Sequence, residues 1–232
     1  MARFETTRWS LILATREQTP DASAALDALC RAYRPAVLSF LRARCRNRDL
    51  AEDLTQGFFT RFLEYRYHEI ADPARGRFRV FLGTALRNFL VNHGDHDHAA
   101  KRGGGSVAVE FEEESLHADS RESPERSFDL AWALTVLDRA MAALEAEAAA
   151  SGKAALFARL REFLTEVPEA EDYARAAADL GLRQNTVAVS VHRLRERLRD
   201  QVRAQLADTV ADPAEVDDEL RALRAVLGAV GT

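Results

Sequence analysis

The chain has 232 residues, with 32 Lys and Arg against 37 Asp and Glu, a formal net charge of -5. That length allows one or two domains with real cores, and the acidic balance excludes a basic footprint spread over the whole surface, so any nucleic-acid binding must come from local patches. Glycine and proline are sparse within long Ala-, Leu-, Arg- and Glu-rich periodic stretches, which points to an all-α fold of two helical domains joined by a flexible acidic linker.

The opening MARFETTRWS lacks an apolar signal core, and no apolar run is long enough to span a bilayer. A soluble cytoplasmic protein is expected. A first block is expected over 1–102. Asp21 or Ser23 can cap a helix carrying Ala25, Leu26, Leu29 and Tyr33. Pro35 then opens a further run with Val37, Leu38, Phe40 and Leu41. A third helix follows Asn47, where Leu50, Leu54, Phe58 and Phe62 recur every four residues and Glu52, Asp53 and Gln56 point elsewhere. The stretch from Ala71 to Arg77 carries turn chemistry. A fourth helix holds Phe78, Phe81, Leu82, Ala85, Phe89 and Leu90, with Arg79, Thr84, Arg87, Asn88, Asn92 and His93 on its other faces and Gly94 interrupting it.

Residues 103–127 open with Gly103, Gly104 and Gly105, continue with scattered Asp and Glu, and read as a flexible acidic linker. A second block covers 128–206. Leu130, Leu134, Leu137, Met141 and Leu144 mark one amphipathic helix, and Leu156, Leu160, Phe163 and Leu164 mark another. From Tyr173 to Arg199 a short helical run meets Gly181-Leu182, and a basic second run follows. In that run Val187, Val191, Leu194 and Leu198 form one apolar stripe. Asn185, Val189, His192, Arg193 and Glu196 lie roughly opposite, with Arg195, Arg197 and Arg199 on its flanks. This is the helix-turn-helix pattern, whose second helix enters a DNA major groove. A C-terminal extension, 207–232, has Asp212-Pro213 as a cap and Val216, Leu220, Leu223 and Leu227 as a stripe. It is either packed on the second block or an arm that restrains the DNA-binding domain through Glu215, Asp217, Asp218 and Glu219.

Cys30 and Cys45 make neither a metal spacing nor a disulfide framework and read as buried structural thiols. His93, Asp95, His96 and His98 form a tempting cluster, but no convincing further ligand set accompanies them. The expectation is no metal and no cofactor.

The ordered pair of blocks resembles the extracytoplasmic-function subfamily of bacterial RNA polymerase sigma factors, within the sigma-70 superfamily. DLAEDLTQGFF, Asp49 to Phe59, resembles that family's core-polymerase-binding helix. FRVFLGTALRNFL, Phe78 to Leu90, resembles its promoter-opening helix, and NTVAVSVHRLRERL its upstream-promoter-reading helix. The resemblance implies an initiation specificity subunit rather than an enzyme, with core RNA polymerase and promoter DNA as partners. An anti-sigma protein or a regulatory kinase stays open as its regulator; Thr55 could in principle be phosphorylated, with nothing in the sequence favouring that over an unmodified surface threonine.

By the same resemblance, Glu52, Asp53, Gln56 and Phe59 would dock on core polymerase. Arg75, Arg77, Arg79, Phe81, Thr84, Arg87, Asn88 and Asn92 would face the downstream promoter element. Strand opening needs a surface that holds a flipped base and stacks on others; Asn88 can bond a base edge, and Arg79 and Arg87 can hold phosphates. Many family members carry Trp where this chain has Phe81. Gln184, Asn185, Thr186, Ala188, Val189, His192, Arg193, Arg195 and Arg197 would face the upstream element. Arg193 can grip guanine bidentately, while Ala188 and Val189 offer only apolar contact, for instance to a thymine methyl. Two competing readings are a stand-alone helix-turn-helix regulator, dimerising through the Leu130–Leu144 stripe, and a metal-dependent enzyme built on the histidine cluster.

Overall fold

The computed structural model describes residues 20–45, 47–64, 77–101, 123–210 and 212–229. They are all-α: α1 (Pro20–Arg44), α2 (Arg48–Glu64), α3 (Phe78–Lys101), α4 (Pro124–Ala150), α5 (Ala154–Leu160), α6 (Ala170–Leu180), α7 (Gln184–Ala207) and α8 (Val216–Gly228). Short 3-10 turns lie at Arg161–Leu164 and Pro213–Glu215. No described helix is long and apolar enough to cross a membrane. The described residues form two compact units, one running to Thr135 and resuming at Ala207, the other Val136–Leu206.

In the first unit α1 is continuous where two helices are expected. Pro35 lies inside it. A proline there removes one backbone donor and frees the carbonyl of Arg31. Arg31 and Pro35 are both exposed, so water can take that carbonyl, while buried Tyr33, Ala36, Val37, Phe40 and Leu41 hold both halves in the core. Asn47 caps α2, accepting from Asp49 N at 2.8 Å and Leu50 N at 3.4 Å. Leu54, Phe58 and Phe62 then face inward as the four-residue spacing requires. Phe58 meets Phe89 of α3 edge-on at 5.6 Å, Phe62 meets Phe78 at 6.4 Å, and Tyr33 of α1 meets Phe78 at 5.0 Å. Each buried aromatic contributes about 1.5–3 kcal/mol, and the edge-to-face geometry adds to it. α3 runs through Gly94 to Lys101, because one helical glycine costs only about 1 kcal/mol relative to alanine.

The expected linker, 103–127, lies outside the described residues over 103–122. Its last residues belong to α4, which starts at Pro124 with Ser123 as cap: Ser123 Oγ accepts from Arg126 N at 3.1 Å. The buried face of α4 departs from the leucine stripe in its first half: Phe128, Trp132, Ala133 and Val136 are buried, whereas Leu134 is 47% exposed; further on, Met141 and Leu144 of the stripe are buried with Ala140. The two aromatics remove more apolar area from water than Leu130 and Leu134 would, so their face wins.

The C-terminal segment belongs to the first unit, not to the second block. Phe78 N donates to Thr209 O at 3.0 Å, beside an antiparallel bridge between Arg77 and Val210. Asp212 caps the following turn through Ala214 N at 2.9 Å, as the Asp-Pro pair suggests. α8 then buries Val216, Glu219, Leu220 and Leu223. Arg126 of α4 donates to Ala229 O at 3.2 Å, just past its end.

The second unit gathers Leu160, Phe163, Ala176, Ala177, Val187 and Val191 into one core, with Leu156, Tyr173, Leu180 and Leu194 packed on it. Glu169 N donates to Asp172 Oδ2 at 2.8 Å, fixing the start of α6. Gly181, at φ 64, stops it. Leu182 N reaches back to Ala177 O at 2.9 Å, the closure that a left-handed glycine permits. α7 begins three residues later and buries Val187, Val191, Leu198, Val202 and Leu206.

Candidate functional site

Three surfaces carry the residues singled out from sequence. On α2, Asp53 and Gln56 are exposed and make no ion pair or hydrogen bond within the described residues. Glu52 is different: it pairs with Arg34 at 2.9 Å and Arg42 at 3.0 Å, both on α1. Phe59 is half-buried and lies edge-on to Phe58 at 5.1 Å. The free part of the face is thus Asp53 and Gln56, with the Phe59 edge beside them. Thr55 is fully buried and donates to Ala51 O at 2.7 Å. Its hydroxyl is closed to a kinase in this fold, and it is not the surface threonine that the sequence left open.

On α3 the residues divide. Arg75 lies outside the described residues, as do the side chains of Asn92 and of His93, His96 and His98. Phe81 is half-buried and packs on Phe62 at 5.8 Å and Phe78 at 6.5 Å, so its ring serves the aromatic cluster. Thr84 Oγ1 donates to Val80 O at 3.0 Å. Arg87 and Asn88 are exposed, flanked by Val80 at 48% and Val91 at 65% exposure. Val80, Thr84, Arg87, Asn88 and Val91 follow helical spacing and make one wet face with an apolar rim.

Arg77 and Arg79 are not on that face. Arg77 pairs with Asp218 at 2.7 Å, Glu219 at 3.4 Å and Glu215 at 3.9 Å. Arg79 bonds both oxygens of Glu219 at 3.2 Å and Asp129 at 2.6 Å. Its guanidinium stacks 4.5 Å from the Trp132 ring centroid. Glu219 is 0% exposed and Arg79 15%. Burial works against the charge on Arg79, yet the bonds to Glu219 and Asp129 outweigh it and hold its pKa above the ordinary arginine value. The sequence expects both arginines on a DNA-facing surface; in this fold they are engaged internally, joining the start of α3 to α4 and the C-terminal segment. Sequence reasoning missed the partners because they lie 140 residues or more downstream for Glu219 and Asp218; the one available signal was the acidic first turn of α8 opposite an Arg-x-Arg pair.

On α7, Gln184, Asn185, Thr186, Val189, His192 and Arg193 are exposed and Ala188 is half-buried. Gln184 Nε2 donates to Ala170 O at 3.1 Å, tying the helix start to α6. His192 lies 3.4 Å from Glu196. Arg193 makes no ion pair or hydrogen bond within the described residues. Arg195 does: its guanidinium donates to Phe163 O at 2.7 and 3.0 Å and to Glu166 O at 3.0 Å. It caps the end of the 3-10 turn, not a phosphate. Arg197 pairs with Glu147 of α4, holding that carboxyl below its usual range, and Gln201 adds a bond at 3.3 Å. The face left for a partner is Asn185, Thr186, Val189, His192 and Arg193.

The described residues hold no group of three or more His, Cys, Asp or Glu placed to bind a metal ion. Cys30 and Cys45 are free and buried. Burial, with Asp27 nearby, pushes the Cys30 thiol up to about 12, and burial raises Cys45 as well. Neither is a reactive thiolate at neutral pH.

Residues 29–94, from within α1 through most of α3, match the family model of Sigma-70 region 2. The match supports a sigma-70 superfamily member with a role in transcription initiation, acting with RNA polymerase and promoter DNA. The chain matches no curated protein and no solved structure.

Proposed function

We propose that this chain is an initiation specificity factor of the extracytoplasmic-function type. The first unit docks on core RNA polymerase through Asp53, Gln56 and the edge of Phe59. It opens the downstream promoter element on the α3 face of Thr84, Arg87 and Asn88, with Asn92 one turn on. The second unit reads the upstream element with Asn185, Thr186, Val189, His192 and Arg193 of α7. The observation that carries this reading is the region 2 match lying over a helical bundle, in one chain with a helix-turn-helix unit. The exposed carboxylate of Asp53 complements cationic groups on a partner, and Arg193 is a free bidentate donor for guanine. The acidic whole chain fits a division of labour in which the polymerase supplies most phosphate-binding charge, so the isolated chain binds DNA weakly.

Co-purification with bacterial core RNA polymerase tests this, comparing wild type with Asp53→Ala/Gln56→Ala. Both side chains are exposed, so the double variant should unfold at the wild-type midpoint and lose the polymerase. Absence of polymerase binding by the wild type would overturn the reading.

A further inference from the structure

The C-terminal helix carries acidic groups that do to two arginines what a nucleic-acid backbone does. All ion-pair partners of Arg77 among the described residues sit on the C-terminal segment: Glu215, Asp218 and Glu219. Arg79 shares Glu219 but also keeps Asp129 and the Trp132 face, both on α4. Removing α8 together with the Pro213–Glu215 turn would leave Arg79 partly engaged and Arg77 without any of these partners. Oxygen anions around a guanidinium fork are also what a phosphodiester chain presents.

We propose that the acidic face of α8 occupies, in cis, a nucleic-acid backbone site centred on Arg77, so that docking of α8 and DNA binding at the start of α3 exclude each other. The inference rests on the proposed function only in taking DNA as the ligand of the first unit. Exposure grades the contact. Glu219 is closed off, while Asp218 is 40%, Glu215 28% and Arg77 26% exposed. A phosphate can therefore displace the outer carboxylates first. The docked state is also incompletely satisfied: Glu215 Oε2 is buried with no hydrogen-bond partner, which weakens the network against an open alternative.

The test is fluorescence anisotropy with a labelled oligothymidylate at low salt. It compares the full chain, Glu215→Gln/Asp218→Asn, and that double variant with Arg77→Gln added. The double variant keeps Glu219 and the apolar residues of α8, and circular dichroism checks its fold. It should bind about three- to tenfold tighter, as one freed phosphate contact allows, and Arg77→Gln should cancel the gain. A folded double variant with unchanged Kd, or a gain that survives Arg77→Gln, would overturn the proposal. Hydrogen exchange on the unmodified chain is a second readout: oligothymidylate should speed exchange across α8, and unchanged or slower exchange would count against the latch. Polymerase co-purification run in parallel separates the two readings. A chain that binds polymerase without any gain in DNA affinity loses the latch alone. A gain without polymerase binding keeps the latch and removes the initiation reading.

Discussion

Arg77 and Arg79 at the start of α3 and Arg193 within α7 are the same residue type, each on or next to an amphipathic helix. The fold treats them oppositely. The first two are drawn into a carboxylate network with Glu219 at its centre; the third is exposed and unpaired among the described residues. α7 repeats the contrast within two turns, since Arg195 caps the Phe163 and Glu166 carbonyls and Arg197 holds Glu147. What separates a structural arginine from one free to bind is whether a sequence-distant acceptor arrives. Helical spacing alone carries no information about that.

The largest effect should come from breaking the network at its buried centre. Glu219→Ala removes the fully buried carboxylate that two guanidiniums share, leaving Arg77 with Asp218 and Glu215 and Arg79 with Asp129, and loss of one partner of a buried pair costs about 3–5 kcal/mol. Denaturant unfolding of the full chain should show it as a lower midpoint of the first unit. A loss under about 1 kcal/mol, no more than a surface pair contributes, would mean that Glu219 is not the centre. Next, Arg195→Ala removes the donors from two carbonyls at the end of the 3-10 turn, a loss of about 1–3 kcal/mol. If Arg195 instead served a phosphate, stability would hold and only the salt dependence of DNA binding would change. Smallest in stability is Arg193→Ala, within about 0.5 kcal/mol for an exposed side chain. In polymerase-dependent promoter binding the same variant should relax discrimination at one base pair, by about 1–3 kcal/mol. A stability loss as large as that of Arg195→Ala would erase the contrast drawn here.

Much of the fold was legible in the sequence because helical burial is periodic. Leu54, Phe58 and Phe62 face inward as spaced, Asn47 and Asp212 cap as their types allow, and Gly181 takes the left-handed turn between α6 and α7. The misreadings share one cause, tertiary context overriding a local rule. Pro35 and Gly94 do not stop their helices, because core contacts on either side of the proline, and the small cost of a single glycine, outweigh the local signal. Phe128 and Trp132 claim the buried face of α4 from Leu134. The exposure of Asp53, Gln56 and Arg193 was readable as the polar side of an apolar stripe. The engagement of Arg77, Arg79 and Arg195 was not, because their partners are backbone carbonyls or carboxylates brought near only by the completed fold.

That completion has an order in time. Glu219 follows Arg79 by 140 residues and Arg77 by 142, with the entire helix-turn-helix unit between them. A ribosome releases the arginines long before the carboxylate that neutralises them, at roughly 5–20 residues per second. For several seconds of each synthesis, α1, α2 and α3 must hold together on the core that they share, without the carboxylates of α8, and the first unit to begin folding is the last to be finished.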